Sequence, residues 1–267
     1  MGTRMIDGVD LDRYPINDLE SEAGRALVER CRADLAKQGA CDLPGFLTAD
    51  VVKRIVGEIP TWDAEPYRTE TSHNIEFSGR EEELPEDDPL RIQVRSAKSL
   101  IAYDQIPESS PLRAVYEADE LTAFVGAALG VDPIYRQADE IGALNVMTYD
   151  PGDELGWHFD NADFVVTLML QEPSVGGMFE FVPMLRTADD KNPRGVAALL
   201  AGDRTGVRTM SPEPGTLALF RGHLSPHRVT PIESNTQRIN AVLAYSDTPD
   251  ARLTASARRI FFGRVEA

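Results

Sequence analysis

From Ile134 onward the chain is cut into short runs rich in Val, Ile, Leu, Thr, Tyr and Phe, separated by Gly, Pro and Asp: residues 141–149, 164–171, 178–182, 216–220 and 238–246. β-Branched and aromatic residues suit a pleated, half-buried surface, and the separators suit turns. Strands at this spacing predict an antiparallel sandwich or barrel. The front half reads differently. Leu19, Ala23, Ala26, Leu27, Cys31 and Leu35 recur at spacings of three and four, which predicts an amphipathic helix over 18–37 stopped at Gly39. A short strand over 40–43 and a Pro44-Gly45 turn follow. Thr48 then caps a second helix carrying Val51, Val52, Ile55, Val56 and Ile59. A third helix opens on Ser110 and Pro111, carries Leu112, Val115, Leu121, Phe124 and Leu129, and ends at Gly130.

Residues 60–90 lack apolar periodicity and hold Glu81, Glu82, Glu83, Glu86, Asp87 and Asp88, a pattern that predicts a solvated loop. Residues 183–204 read as a long insertion between strands. Near the carboxyl end, Arg252, Arg258, Arg259 and Arg264 suggest a solvated helix followed by a strand at Ile260, Phe261 and Phe262. No internal repeat is visible. The expected organisation is one domain of class α+β spanning 1–267, helical to about 133 and β-rich from about 134.

With 44 acidic against 27 basic side chains, the chain carries a formal charge of −17. That balance argues against nucleic acid and against an anionic membrane surface, because both bind mainly through cations. No apolar run approaches the length of a membrane span. Residues 1–7 lack the apolar run of a secretory leader, and Ile6 stands where a myristoylation motif wants Ser or Thr. Two cysteines, Cys31 and Cys41, form no disulfide framework, so a reduced, cytoplasmic setting is expected.

Only four histidines are present: His73, His158, His223 and His227. His158 and Asp160 stand two apart, and on a strand such residues share a face. A nitrogen and a carboxylate oxygen could then meet one ion, and a second histidine from a distant strand would complete a two-histidine, one-carboxylate face. That face leaves three octahedral positions open, as expected of non-haem Fe(II). Alone, His-x-Asp is a weak signal.

Its surroundings add to it. Asn145-Val146-Met147-Thr148-Tyr149 leads through Pro151-Gly152 to His158; Gly176-Gly177-Met178-Phe179 and Pro214-Gly215-Thr216-Leu217-Ala218-Leu219-Phe220 follow, then His227, Val229, Pro231 and Arg238. This ordered string resembles the Fe(II)/2-oxoglutarate-dependent dioxygenase superfamily, and most of all its free-standing amino-acid hydroxylase and halogenase group. The resemblance runs over about 145–245 and, more loosely, through Leu43-Pro44-Gly45-Phe46-Leu47.

The resemblance implies a double-stranded β-helix (jelly-roll) core with N-terminal flanking helices. It implies Fe(II) held by His158, Asp160 and His227, with 2-oxoglutarate and O₂ as co-substrates. His227 rather than His223 is the expected ligand because an arginine follows the superfamily's distal histidine after about ten residues. From His227 that count reaches Arg238, whereas from His223 it reaches Ser234. Arg238 would hold the far carboxylate of 2-oxoglutarate, since a buried carboxylate needs a bidentate partner. Tyr149 and Thr167 are further co-substrate candidates. Arg95, Glu140 and Asn240 fall where the group grips an amino acid's charged ends, although Val242 stands where lysine-type members carry a hydroxyl. His223 is expected in a loop near the site, His73 to be structural or exposed, and Trp157 and Phe159 to pack in the sheet's other layer.

The reaction implied is decarboxylation of 2-oxoglutarate to succinate and CO₂ coupled to oxidation of a small, amino-acid-like substrate. Asp160 favours hydroxylation over halogenation, because the related halogenases have Gly or Ala there. Desaturation or ring closure would begin with the same hydrogen abstraction. A non-catalytic metal-binding jelly roll is the reading from another class, against which Arg238 stands.

Overall fold

The computed structural model describes residues 8–79 and 81–267; the features read from residues 1–7 lie outside them. Ser21 starts the first helix, its hydroxyl accepting the Gly24 N–H at 3.0 Å. α1 runs Glu22–Gln38 and stops where Gly39 turns left-handed at φ 70°. β1 (Ala40–Leu43) and α2 (Ala49–Glu58) follow, then β2 (Tyr67–His73) and β3 (Val94–Ile101). Next come α3 (Pro111–Glu117), α4 (Asp119–Leu129), β4 (Tyr135–Arg136), β5 (Leu144–Tyr149), β6 (Glu154–His158), β7 (Val165–Gln171) and β8 (Phe179–Phe181). The chain ends with α5 (Pro193–Leu200), β9 (Arg208–Thr209), β10 (Leu217–Phe220), β11 (His227–Val229), β12 (Arg238–Leu243), β13 (Tyr245–Ser246) and α6 (Ala255–Phe262).

Eleven strands join in one antiparallel sheet, ordered β1-β10-β7-β12-β5-β3-β6-β11-β8-β9, with β2 added to β3. Apart from the step from β8 to β9, which pair with each other, the chain from β5 to β12 alternates between two four-stranded faces, β10-β7-β12-β5 and β6-β11-β8-β9, which is the double-stranded β-helix. β3 joins the faces at one edge: residues 99–101 pair with β5, and residues 96 and 97 pair with β6. Side-chain alternation then sorts the residues. Leu144, Val146, Val166, Leu168, Leu217, Leu219, Ile239 and Ala241 turn outward into one large core with the apolar faces of α1 to α4. Their neighbours Tyr149, Thr167, Arg238 and Asn240 are left for the inside.

Several expectations need correction. Residues 60–90 are not all loop, because β2 pairs with β3 over seven registers, from Tyr67↔Leu100 to His73↔Val94. The third helix is two helices, broken at Ala118 with ψ 128°. Its buried stripe slips there: Leu112, Val115 and Tyr116 are followed by Leu121, Phe124 and Val125, while Asp119 and Glu120 occupy the places a continuous stripe would need. The 183–204 insertion is ordered by α5, whose Val196 and Leu199 pack with Ile75, Trp157, Phe159 and Val182. That packing also agrees with the expectation for Trp157 and Phe159. Ile260, Phe261 and Phe262 close α6 rather than forming a strand. Cys31 and Cys41 are buried free thiols. No helix among the described residues is long and apolar enough to cross a membrane.

Candidate metal centre

β6 ends at His158, and β11 begins at His227, its register partner. The register shifts beyond that pair, with Val229 opposite Leu155, so β6 carries an extra residue there. This bulge keeps both Leu155 and His158 on the inner face, where strict alternation would separate them. Asp160 lies past the end of the strand, so the shared-face expectation does not explain its position. Its N–H instead donates to the Gly222 carbonyl at 3.2 Å, which folds the carboxylate back over the rings. Asp160 Oδ1 is 3.6 Å from His158 Nε2 and 3.5 Å from His227 Nε2. One donor atom from each of the three lies within 4.8 Å of the other two.

The imidazoles are oriented from behind. His158 Nδ1 meets the Gly156 carbonyl at 2.8 Å, and His227 Nδ1 meets that of Ser225 at 3.2 Å. A carbonyl accepts only from N–H, so each Nε2 is left with its lone pair toward Asp160. Burial pushes the His227 pKa down to about 4, with His158 beside it adding to the effect. Asp160 Oδ2 is buried without a hydrogen-bond partner. Two neutral imidazoles, a carboxylate and this unpartnered oxygen fit a divalent ion, and the nitrogen–oxygen set suits Fe(II). Aromatic rings wall the centre. Phe179 stacks on His227 at 5.2 Å, Phe220 meets the same ring edge-on at 4.8 Å, and Phe77 meets His158 edge-on at 4.4 Å.

Next to Phe179 a small, partly open cavity is lined by Thr167, Met169, Gly177, Phe179, Arg238 and Asn240, among others. Arg238 is only 5% exposed. Its Nε donates to the Gly177 carbonyl at 3.1 Å, and its guanidinium carbon stands 5.4 Å from the centre of the Tyr149 ring. No carboxylate among the described residues pairs with it, and burial lowers its pKa. Tyr149 faces Arg238 in register and is itself buried, its phenol pushed up to about 12. The unpaired guanidinium of Arg238 offers a bidentate partner to a carboxylate entering this space.

The other predicted residues divide. Asn240 lines the same cavity, on the Arg238 face of β12. Arg95 does not reach the inside: β3 turns it outward, where it pairs with Glu70 at 3.0 Å and with the Gly152 carbonyl at 2.9 Å. Glu140 is exposed in the turn before β5, and its neighbour Asp139 is the buried acid, bonded to Arg258. His223 lies in the loop beside Asp160, with a buried, unpartnered Nδ1. His73 is not exposed. It is buried at the end of β2, with Nε2 2.6 Å from Ser96 Oγ and its ring stacked 4.2 Å from Phe77. Sequence reasoning missed Phe77 altogether, and it noted Phe179 only as part of a motif.

A family model described as Halogenase D matches residues 24–260. No curated protein matches the chain. Among solved structures, a 2OG-Fe(II) oxygenase family oxidoreductase from Burkholderia pseudomallei is 15% identical, with TM-score 0.55, 83% of this chain and 91% of that chain covered. The non-heme alpha ketoglutarate dependent epimerase SnoN from nogalamycin biosynthesis is 16% identical, with TM-score 0.57 and 84% of each chain covered. AviO1 from Streptomyces viridochromogenes Tue57 is 17% identical, with TM-score 0.52, covering 85% of this chain and 96% of that one. At such identities these structures speak to the fold alone. The match over nearly the whole length is what places the chain: it belongs to the Halogenase D family, and its fold is that of the 2OG-Fe(II) oxygenases.

Proposed function

We propose that this protein hydroxylates a free amino acid or a related small metabolite, consuming 2-oxoglutarate and O₂ and releasing succinate and CO₂. The reading is carried by Asp160 Oδ1, which stands within 3.6 Å of both ligand histidine Nε2 atoms. Three protein donors on one face leave three octahedral positions, enough for a chelating 2-oxo acid and O₂. A halide would then lack the place that a missing carboxylate opens. The family's name favours the competing reading, halogenation, and makes the product the quantity to measure.

Iron with 2-oxoglutarate and O₂ would supply the oxidative decarboxylation and the hydrogen abstraction. The chain's own residues supply the rest. His158, Asp160 and His227 hold the metal, with both rings fixed in one tautomer by backbone carbonyls. Arg238, with Tyr149 beside it, takes the far carboxylate in a cavity lined by Thr167, Met169 and Phe179. Phe77, Phe179 and Phe220 exclude water around the rings and leave few side reactions open.

The test has two parts. Anaerobic addition of Fe(II) and 2-oxoglutarate to metal-free protein gives a visible chelate band, and Arg238→Met raises the 2-oxoglutarate concentration needed for half the band about 100-fold. A band that forms equally well in the variant removes Arg238 from the co-substrate site. Aerobic turnover in excess chloride then yields a product one oxygen heavier; a chlorinated product overturns the assignment of hydroxylation.

A further inference from the structure

The inner face of β3 carries a cation that neither the metal nor the co-substrate uses. Ser96 and Lys98 share that face. Ser96 Oγ bonds His73 Nε2 at 2.6 Å and accepts the Gly156 N–H at 3.0 Å, next to the His158 strand. Leu100, one step further, stands in register with Met147, which shares the Tyr149 side of β5. Lys98 lies between these two anchors and is 5% exposed. Among the described residues its ammonium makes no hydrogen bond and no carboxylate stands within ion-pair distance. Burial lowers its pKa to about 8, and the charge of Asp160 opposes that shift from across the site. The side chain is largely buried and its ammonium has no protein partner, an arrangement that costs folding free energy. Lysine is seldom buried unless something pairs with it.

We propose that Lys98 is the counter-charge for a carboxylate of the substrate, which fixes the substrate class as a free carboxylic acid, such as an α-amino acid with its carboxyl group unblocked. This rests on the oxygenase reading above. It also moves the anion grip expected at Arg95 three residues along β3, to the residue that the strand turns inward. Arg238 is not available for this role if it holds the co-substrate. His73 and Ser96 satisfy each other beside Lys98 and supply a neutral, ordered wall.

The experiment uses the full chain loaded with Fe(II) and 2-oxoglutarate, and a panel pairing each proteinogenic amino acid with its carboxamide. The expected result is succinate release, above the level without substrate, for at least one free acid and not for its carboxamide. Lys98→Met is expected to raise the KM for that acid about 100-fold and to remove the preference over the amide. The same variant is expected to melt cooperatively at or above the wild-type temperature, because it removes a buried charge without leaving a cavity. A purely structural lysine would instead lower the melting temperature. Equal turnover of acid and amide, an unchanged KM in Lys98→Met, or no active acid in the panel overturns the assignment. Failure of the chelate band itself is a different result, and it defeats the oxygenase reading instead.

Discussion

At Gly222 the loop between β10 and β11 passes beneath the metal centre. A methyl built there would overlap Asp160 Oδ2 and crowd the His227 Cε1. Neither neighbour can yield without leaving the donor set, so Gly222→Ala is expected to weaken iron binding about 10- to 100-fold while the protein still melts cooperatively. Metal content after dialysis against graded Fe(II) checks this, and wild-type loading would mean that Asp160 is not a ligand. His73 carries a different liability. Burial holds its pKa near 4, against an ordinary 6.5. As the pH falls the unfolded chain takes up this proton first. The associated stability is therefore intact above about pH 6.5 and is lost toward about pH 4, by roughly 2 kcal/mol at pH 5. Urea midpoints at the two ends of that window should converge for His73→Gln relative to wild type, and a parallel slope in both proteins would assign the acid sensitivity elsewhere. His158, Asp160 and His227 come together as the sequence led one to expect, but His227 and Arg238 were picked out by the motif order of the resembling superfamily, and Asp160 reaches the rings through its loop rather than through a shared strand face. Lys98 was not legible, since the face a strand residue takes depends on a parity that only the pairing of β3 with β5 and β6 sets.

Among the elements, the connection between β2 and β3 does the most to shape the mouth of the centre. The Asn74 side chain is its hub: Oδ1 accepts from the Glu76 and Ser78 N–H groups, and Nδ2 donates to Ser78 Oγ and the Gly79 and Leu90 carbonyls. These bonds hold Phe77 left-handed at φ 55°, a conformation that costs a non-glycine residue energy, and press its ring against His73 and His158. Asn74→Ala leaves several buried groups unpaired and is expected to cost about 3 kcal/mol. Amide exchange in residues 74–79 should quicken far more than in β5 or β12. Uniform protection across the variant would show that the loop does not depend on this side chain. The same region explains what the sequence concealed. β2 has no alternation to read because most of its residues, from Tyr67 to Ser72, are exposed on an outer strand. The break at Ala118 could have been found from the phase of its apolar stripe. α5 was hidden because it is short and its Val196 and Leu199 find their partners, Trp157 and Phe159, far away in the sequence.

Across the whole molecule the charge distribution opposes the ligands it encloses. The shell is strongly acidic, at a formal −17, whereas the cavity offers Arg238 and the inner face of β3 offers Lys98. A dicarboxylate approaching from solvent meets a repulsive field before it reaches either cation. Salt shortens the reach of that field, from about 30 Å at 0.01 M to about 3 Å at 1 M, but screens a buried pair much less. Binding of 2-oxoglutarate should therefore quicken several-fold with added salt while its dissociation changes little, so the affinity tightens. An exposed ion pair would weaken over the same range. Stopped-flow growth of the chelate band at graded ionic strength separates the two cases. An association rate that falls with salt would mean that the local field of Arg238 and Lys98, reaching out through the mouth of the jelly roll, governs approach in place of the acidic surface.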